Sequence, residues 1–150
     1  MARIAIVQQA PAMLDRDATL ASAVSLAAEA ARDGARLVVF PEAFVPGYPV
    51  WIWRLRPGPD MGLSELIHSR LLAQAVDVAA GHLAPLQQVA REHAITIVCG
   101  MHERDAQASR TTLYNSVITI GPDGELLNRH RKLMPTNPER MVWGLSLIHI

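Results

Sequence analysis

Apolar residues fall along this chain in short dense runs, separated by Ala-rich or mixed segments and by one long proline-rich stretch. Arg3 to Val7 (RIAIV), Leu37 to Phe40 (LVVF) and Ile95 to Cys99 (ITIVC) are brief and largely β-branched, which predicts buried strands. Between the first two, Asp17 to Arg32 (DATLASAVSLAAEAAR) predicts a helix opened by an Asp cap and closed by a left-handed turn at Gly34. A strand, helix, strand unit of this kind favours a mostly internal sheet with helices outside it. Further on, Ser64 to Gln74 and Gly81 to Ala94 predict helices, the second accommodating Pro85 only in its first turn. Leu113 to Ile120 and Glu125 to Lys132, joined by Gly121-Pro122-Asp123-Gly124, predict a hairpin. Val45 to Asp60 (VPGYPVWIWRLRPGPD) shows no periodicity and predicts a long loop, a type of segment that is often functional. No internal repeat or linker divides the chain, so the pattern describes an α/β domain.

Composition narrows the function classes. The chain has 150 residues, with 14 Lys and Arg against 14 Asp and Glu and no basic stripe, which argues against a nucleic-acid partner. One Cys excludes an internal disulfide framework and a multi-cysteine metal site, and suits the cytoplasm, the expected location. MARIAIVQQA lacks the longer apolar region of a secretory signal, and no run reaches membrane-spanning length, so no membrane partner is expected.

Three residues draw attention by position. Glu42 follows LVVFP and projects from the carboxyl end of a strand, the edge at which open α/β sheets place their sites, although a surface glutamate opening a loop would read the same way. Pro41 on one side and the aromatic loop on the other are expected to shelter its carboxylate and suit it to proton transfer. Lys132, in HRKLMP, ends the last strand. Alone it reads as one solvated member of a basic cluster, but beside a carboxylate it could stabilise negative charge developing on a substrate. Glu139, in PTNPERMVWG, either orients that lysine or is an ordinary loop residue. Cys99 lies within a buried strand with no activating partner in sight and reads as structural. The six His show no ligand spacing, so no metal is expected, and Walker, GxGxxG and GxSxG patterns are absent.

FPEAFVPGYP at 40 to 49 and HRKLMPTNPERMVWG at 130 to 144, supported by GMHERD at 100 to 105 and YNSVITIGPDGELLNRHRK at 114 to 132, resemble the nitrilase branch of the carbon-nitrogen hydrolase superfamily. The resemblance runs through Gly144. It implies an αββα sandwich of which only the N-terminal part is present, in 1–144. It also implies a Glu, Lys, Cys triad in which Glu42 is the general base, Lys132 stabilises the tetrahedral species and Glu139 supports them. Tyr48, with Trp51 and Trp53 near it, would line the substrate pocket, while core or subunit-contact packing is an equal reading for the tryptophans. The resemblance places the nucleophilic cysteine after the lysine, beyond the WG segment, and no residue here matches it. The chain departs from the pattern at LSLIHI, so 145–150 is expected to be a non-native tail.

The implied reaction converts a small-molecule nitrile to a carboxylic acid and ammonia through a thioimidate, without metal or organic cofactor, in a parent enzyme that is a homo-oligomer. An amidase or cyanide-degrading hydrolase of the same superfamily is the alternative. So is a catalytically inactive fragment whose uncovered sheet face and edge would drive association.

Overall fold

A computed structural model describes residues 2–107 and 109–146. Its elements are β1 (Ile4–Ile6), α1 (Arg16–Arg32), β2 (Leu37–Val39), α2 (Met61–Ala73), α3 (Ala84–His93), β3 (Thr96–Arg104), β4 (Leu113–Ile120) and β5 (Leu126–Arg131). The strands form one five-stranded sheet in the order β1-β2-β3-β4-β5. The first three are parallel and the last two add antiparallel. The α/β class expected from the sequence is therefore the one observed.

The two faces of the sheet differ sharply. Ala5, Val38, Ile97, Cys99, Ile118 and Ile120 point to one side, where Leu20, Ala23 and Ala27 of α1 and Leu86, Val89 and Ala90 of α3 cover them. On the other side Leu37, Val39, Val98 and Val117 are only partly buried, and Ile4 and Ile6 are exposed. The expectation that 3–7 forms a buried strand thus fails on one face. β1 is an edge strand, Ile6 is 75% exposed, and only Ala5 and Val7 pack against the helical layer. The described residues hold one sheet and one helical layer of the sandwich, so the positions of the other face that lie away from the Glu42 turn have only partial cover.

Several boundaries moved for identifiable reasons. The cap of α1 is Asp15, not Asp17, because the Asp15 carboxylate accepts from the Ala18 N–H and leaves Asp17 inside the first turn. Gly34 takes φ +85° after the helix, as expected. The 45–60 loop contains a 3₁₀ turn at Val50–Trp53, and α2 begins at Met61 rather than at 64. Pro85 does sit in the first turn of α3. β3 continues through Arg104, since Gly100 to Arg104 pair with β4 while Val45 joins Met101 from the other edge. A second apolar cluster of Ala43, Trp51, Ile52, Leu71, Ala75, Leu113, Val142 and Trp143 closes the end of the sheet where Glu42 emerges. Of the expected tail, Leu147 to Ile150 lie outside the described residues.

Candidate active site

Glu42 leaves the carboxyl end of β2 on a tight turn that passes directly over β3. The crossing is possible because position 100 is glycine: a Cβ there would meet the Pro41 carbonyl and stand 2.6 Å from the Ala43 nitrogen. Ala43 then takes φ +50°, and the Val45 N–H donates to the Gly100 carbonyl at 3.1 Å, pinning the turn to the strand beneath it. The ladder between β4 and β5 brings the next partners. Just past β5, the Lys132 N–H donates to the Asn115 carbonyl at 2.8 Å, so Lys132 stands on the same open face as Asn115.

These side chains meet. Asn115 Nδ2 donates to Glu42 Oε1 at 2.6 Å and Lys132 Nζ donates to the same oxygen at 3.1 Å. Lys132 also reaches both oxygens of Glu139, at 3.1 and 2.9 Å. Glu139, on a 3₁₀ turn at Pro138–Met141, is buried and accepts further from the Thr136 N–H at 2.7 Å and the Tyr48 hydroxyl at 2.9 Å. Trp53 Nε1 donates to the Tyr48 hydroxyl at 3.3 Å. Glu42, Lys132, Asn115 and His130 line a cleft of about 320 Å³ together with Val39, Val98 and Val117.

Electrostatics assign states to three of these groups. Burial is the strongest single influence on Glu139 and opposes its charge, but bonds from Lys132, Thr136 and Tyr48 together outweigh it and hold its pKa down at about 2. Burial likewise acts most strongly on Lys132 and against its charge, yet Glu139 and Glu42 raise its pKa above the ordinary lysine value. Near neutral pH an ammonium is therefore clamped by an ionised carboxylate. Burial raises the Tyr48 phenol, which keeps its proton and donates it to Glu139.

Other expectations came out differently. The Glu42 side chain is 51% exposed rather than sheltered, because it lies on a cleft that opens to solvent. Lys132, which alone read as a solvated lysine, stands beside two carboxylates and is 31% exposed. Tyr48 is at the site, but its hydroxyl engages Glu139. Trp51 is in the second core cluster, and Trp53 is largely exposed. Cys99 faces the helical core on the side of the sheet opposite Glu42, and burial pushes its thiol up to about 12.

With that geometry established, the comparisons can be weighed. The carbon-nitrogen hydrolase family profile matches residues 3–145. The chain belongs to this family. An arylacetonitrilase of Aspergillus niger is 40% identical over 144 residues, which are 96% of this chain and 40% of that protein. An aliphatic nitrilase of Rhodococcus rhodochrous is 39% identical over 142 residues, covering 95% of this chain and 37% of the relative. The chain thus spans about 40% of the length of such curated relatives. The crystal structure of an amidase from Nesterenkonia sp. superposes with a TM-score of 0.62 at 20% identity, over 97% of this chain and 48% of that one, which shows a shared fold.

Two residues in and beside this cleft escaped the sequence reading. Asn115 lay inside a quoted motif, YNS, two positions after the start of a strand, and only strand pairing reveals that it faces Glu42. His102 is fully buried. Its Nε2–H donates to the Gly47 carbonyl at 2.9 Å while its Nδ1 accepts from Trp143 Nε1 at 2.9 Å, and burial holds its pKa at about 4, so the ring is neutral. It ties the Tyr48 loop to the segment carrying Glu139.

Proposed function

We propose that these residues form the acid-base half of a nitrilase site, whose thiol nucleophile comes from residues outside the 150. The observation that carries the reading is the convergence of Glu42 and the buried Glu139 on Lys132, with Glu42 and Lys132 lining one open cleft and one Glu42 oxygen anchored and the other free among the described residues. Relatives named as nitrilases support the substrate class. A form of the Nesterenkonia amidase with the acetamide moiety of fluoroacetamide added covalently at its active site cysteine supports a thiol as the attacking group.

In this mechanism the thiol passes its proton to Glu42 as sulfur bonds to the nitrile carbon, and the nitrile nitrogen is protonated to give a thioimidate. Water then adds to that carbon with Glu42 as base, and ammonia leaves with a thioester behind. A second water breaks the carbon-sulfur bond, releases the acid and restores the thiol. Two waters are consumed for each nitrile. Lys132, kept charged by Glu139, stabilises the negative charge that develops in each addition, and no metal or organic cofactor takes part.

Cys99 cannot serve as the nucleophile from the covered face, so the 150 residues alone are expected to release no ammonia from phenylacetonitrile. The test is to read the source gene through and beyond the codon for Gly144 and assay the product of any continuing frame on phenylacetonitrile, phenylacetamide and cyanide. Nitrile turnover abolished by Glu42→Gln or Lys132→Ala supports the reading. Amide turnover without nitrile turnover selects an amidase, and turnover of cyanide alone selects a cyanide-degrading enzyme. Thiol-dependent turnover by the 150 residues, lost in Cys99→Ser, overturns the proposal.

A further inference from the structure

We propose that Asn115 is a positioning residue that decides which oxygen of Glu42 handles the proton. The inference rests on the reading of Glu42 as the general base and adds a residue and an atom to it. Both hydrogen bonds to the Glu42 carboxylate among the described residues fall on Oε1, from Asn115 Nδ2 at 2.6 Å and Lys132 Nζ at 3.1 Å. Two N–H groups aimed at one oxygen leave no room for a proton on it. A proton arriving at Glu42 must therefore sit on Oε2, on a residue that lines the cleft.

Of the two donors, Asn115 is the better anchor. It is 6% exposed, on a strand paired on both sides, and its side chain turns about only two bonds. Lys132 divides its ammonium between Glu42 and Glu139 on a flexible stem. The amide orientation is also fixed by chemistry, because an ionised carboxylate only accepts and the NH₂ end must face it. Asn115 further sets where Lys132 starts, since its carbonyl accepts the Lys132 N–H at 2.8 Å. One residue thus registers the base against the cation: its backbone holds one and its side chain the other.

The test is NMR on the 150-residue chain and needs no turnover, so it can fail while the nitrile assay succeeds, and the reverse. Three-bond couplings from Glu42 Cγ to the backbone nitrogen and carbonyl carbon report its χ1 rotamer. The wild-type chain is expected to show the limiting values of one rotamer, and Asn115→Ala averaged values, with the Val117 and Lys132 amide signals in place to show that the β4–β5 ladder survives. Lys132→Met should leave the couplings near the wild-type limit, which a general loosening of the site would not. A single Glu42 rotamer in Asn115→Ala, or averaging already in the wild type, overturns the proposal. If Asn115→Ala does not fold, the wild-type chain decides. The Asn115 side-chain NH₂ signals should shift between the wild type and Glu42→Gln, because the carboxylate that accepts from them is replaced. Signals indifferent to Glu42→Gln overturn it equally.

Discussion

Two carboxylate-cation assemblies lie back to back through the same strands, and their differences separate a closed ion pair from an open one. On the helix side Glu103 bonds Arg131 through two nitrogens and accepts from Ser116 at 2.6 Å, while Arg131 also holds Asp105 at 2.8 Å and stacks 4.1 Å from the Tyr114 ring centroid. Glu103 and Arg131 are 1% and 5% exposed. On the open side Lys132, the next residue, meets Glu42 at 3.1 Å, and the carboxylate is half exposed with one oxygen uncommitted. Strand alternation sends adjacent cations to opposite faces. The buried pair has both its oxygens bonded and no access, whereas the exposed one keeps an oxygen for chemistry.

The sharpest way to break this contrast is to remove one partner of the buried pair. Glu103→Ala should destabilise the fold by up to about 3–5 kcal/mol, because it takes the more buried of two carboxylates from a buried guanidinium that Asp105 still partners, whereas Glu42→Ala should cost well under half as much. Urea denaturation of both variants measures the gap, and equal losses would erase the distinction. Next in size, Gly100→Ala should cost about 1–3 kcal/mol by pushing the Glu42 turn off β3. It should also displace the Asn115 side-chain NH₂ signals, visible by NMR.

Acid titration sharpens the comparison further. Glu139 is depressed to about 2, below its ordinary 4.5, and a depressed carboxyl adds stability above the unfolded value that is lost as pH falls through the folded one. His102, a base depressed from 6.5 to about 4, behaves with the same sign: neutral in the fold, it costs stability as falling pH forces the charge. Stability should therefore decline between about pH 6.5 and 4 in a way that His102→Gln flattens, and again below 4.5 in a way that Glu139→Gln flattens. Denaturation midpoints against pH check both windows. The smallest expected effect is at Cys99, whose thiol should resist aromatic disulfide reagents in the native state and react once urea exposes it. Labelling as fast in buffer as in urea would show that the covered face is not closed.

The positions of Glu42, Lys132 and Glu139 were legible because each lies in a long motif beside a strand end or a proline, where local pattern and resemblance agree. Asn115 was not legible, since a polar residue inside LYNSVITI looks the same whichever face it occupies. Its role depends on the pairing of β4 with β5 and on a turn arriving from 73 residues earlier. The Glu42 environment was misjudged for a related reason. Flanking residues in sequence do not say what stands in front of a side chain, and here that is an open sheet face.

Local chemistry along the chain suffices for the strands, the helices, the family and the three charged groups, because periodicity, caps and motifs are written in neighbouring residues. The fold alone decided that Arg131 is buried while Lys132 faces the cleft, that Asp15 and not Asp17 caps α1, and that Gly100 admits Glu42 to the cleft. Each of those outcomes depends on contacts between residues far apart in the chain, and burial and hydrogen-bond partners are properties of such contacts.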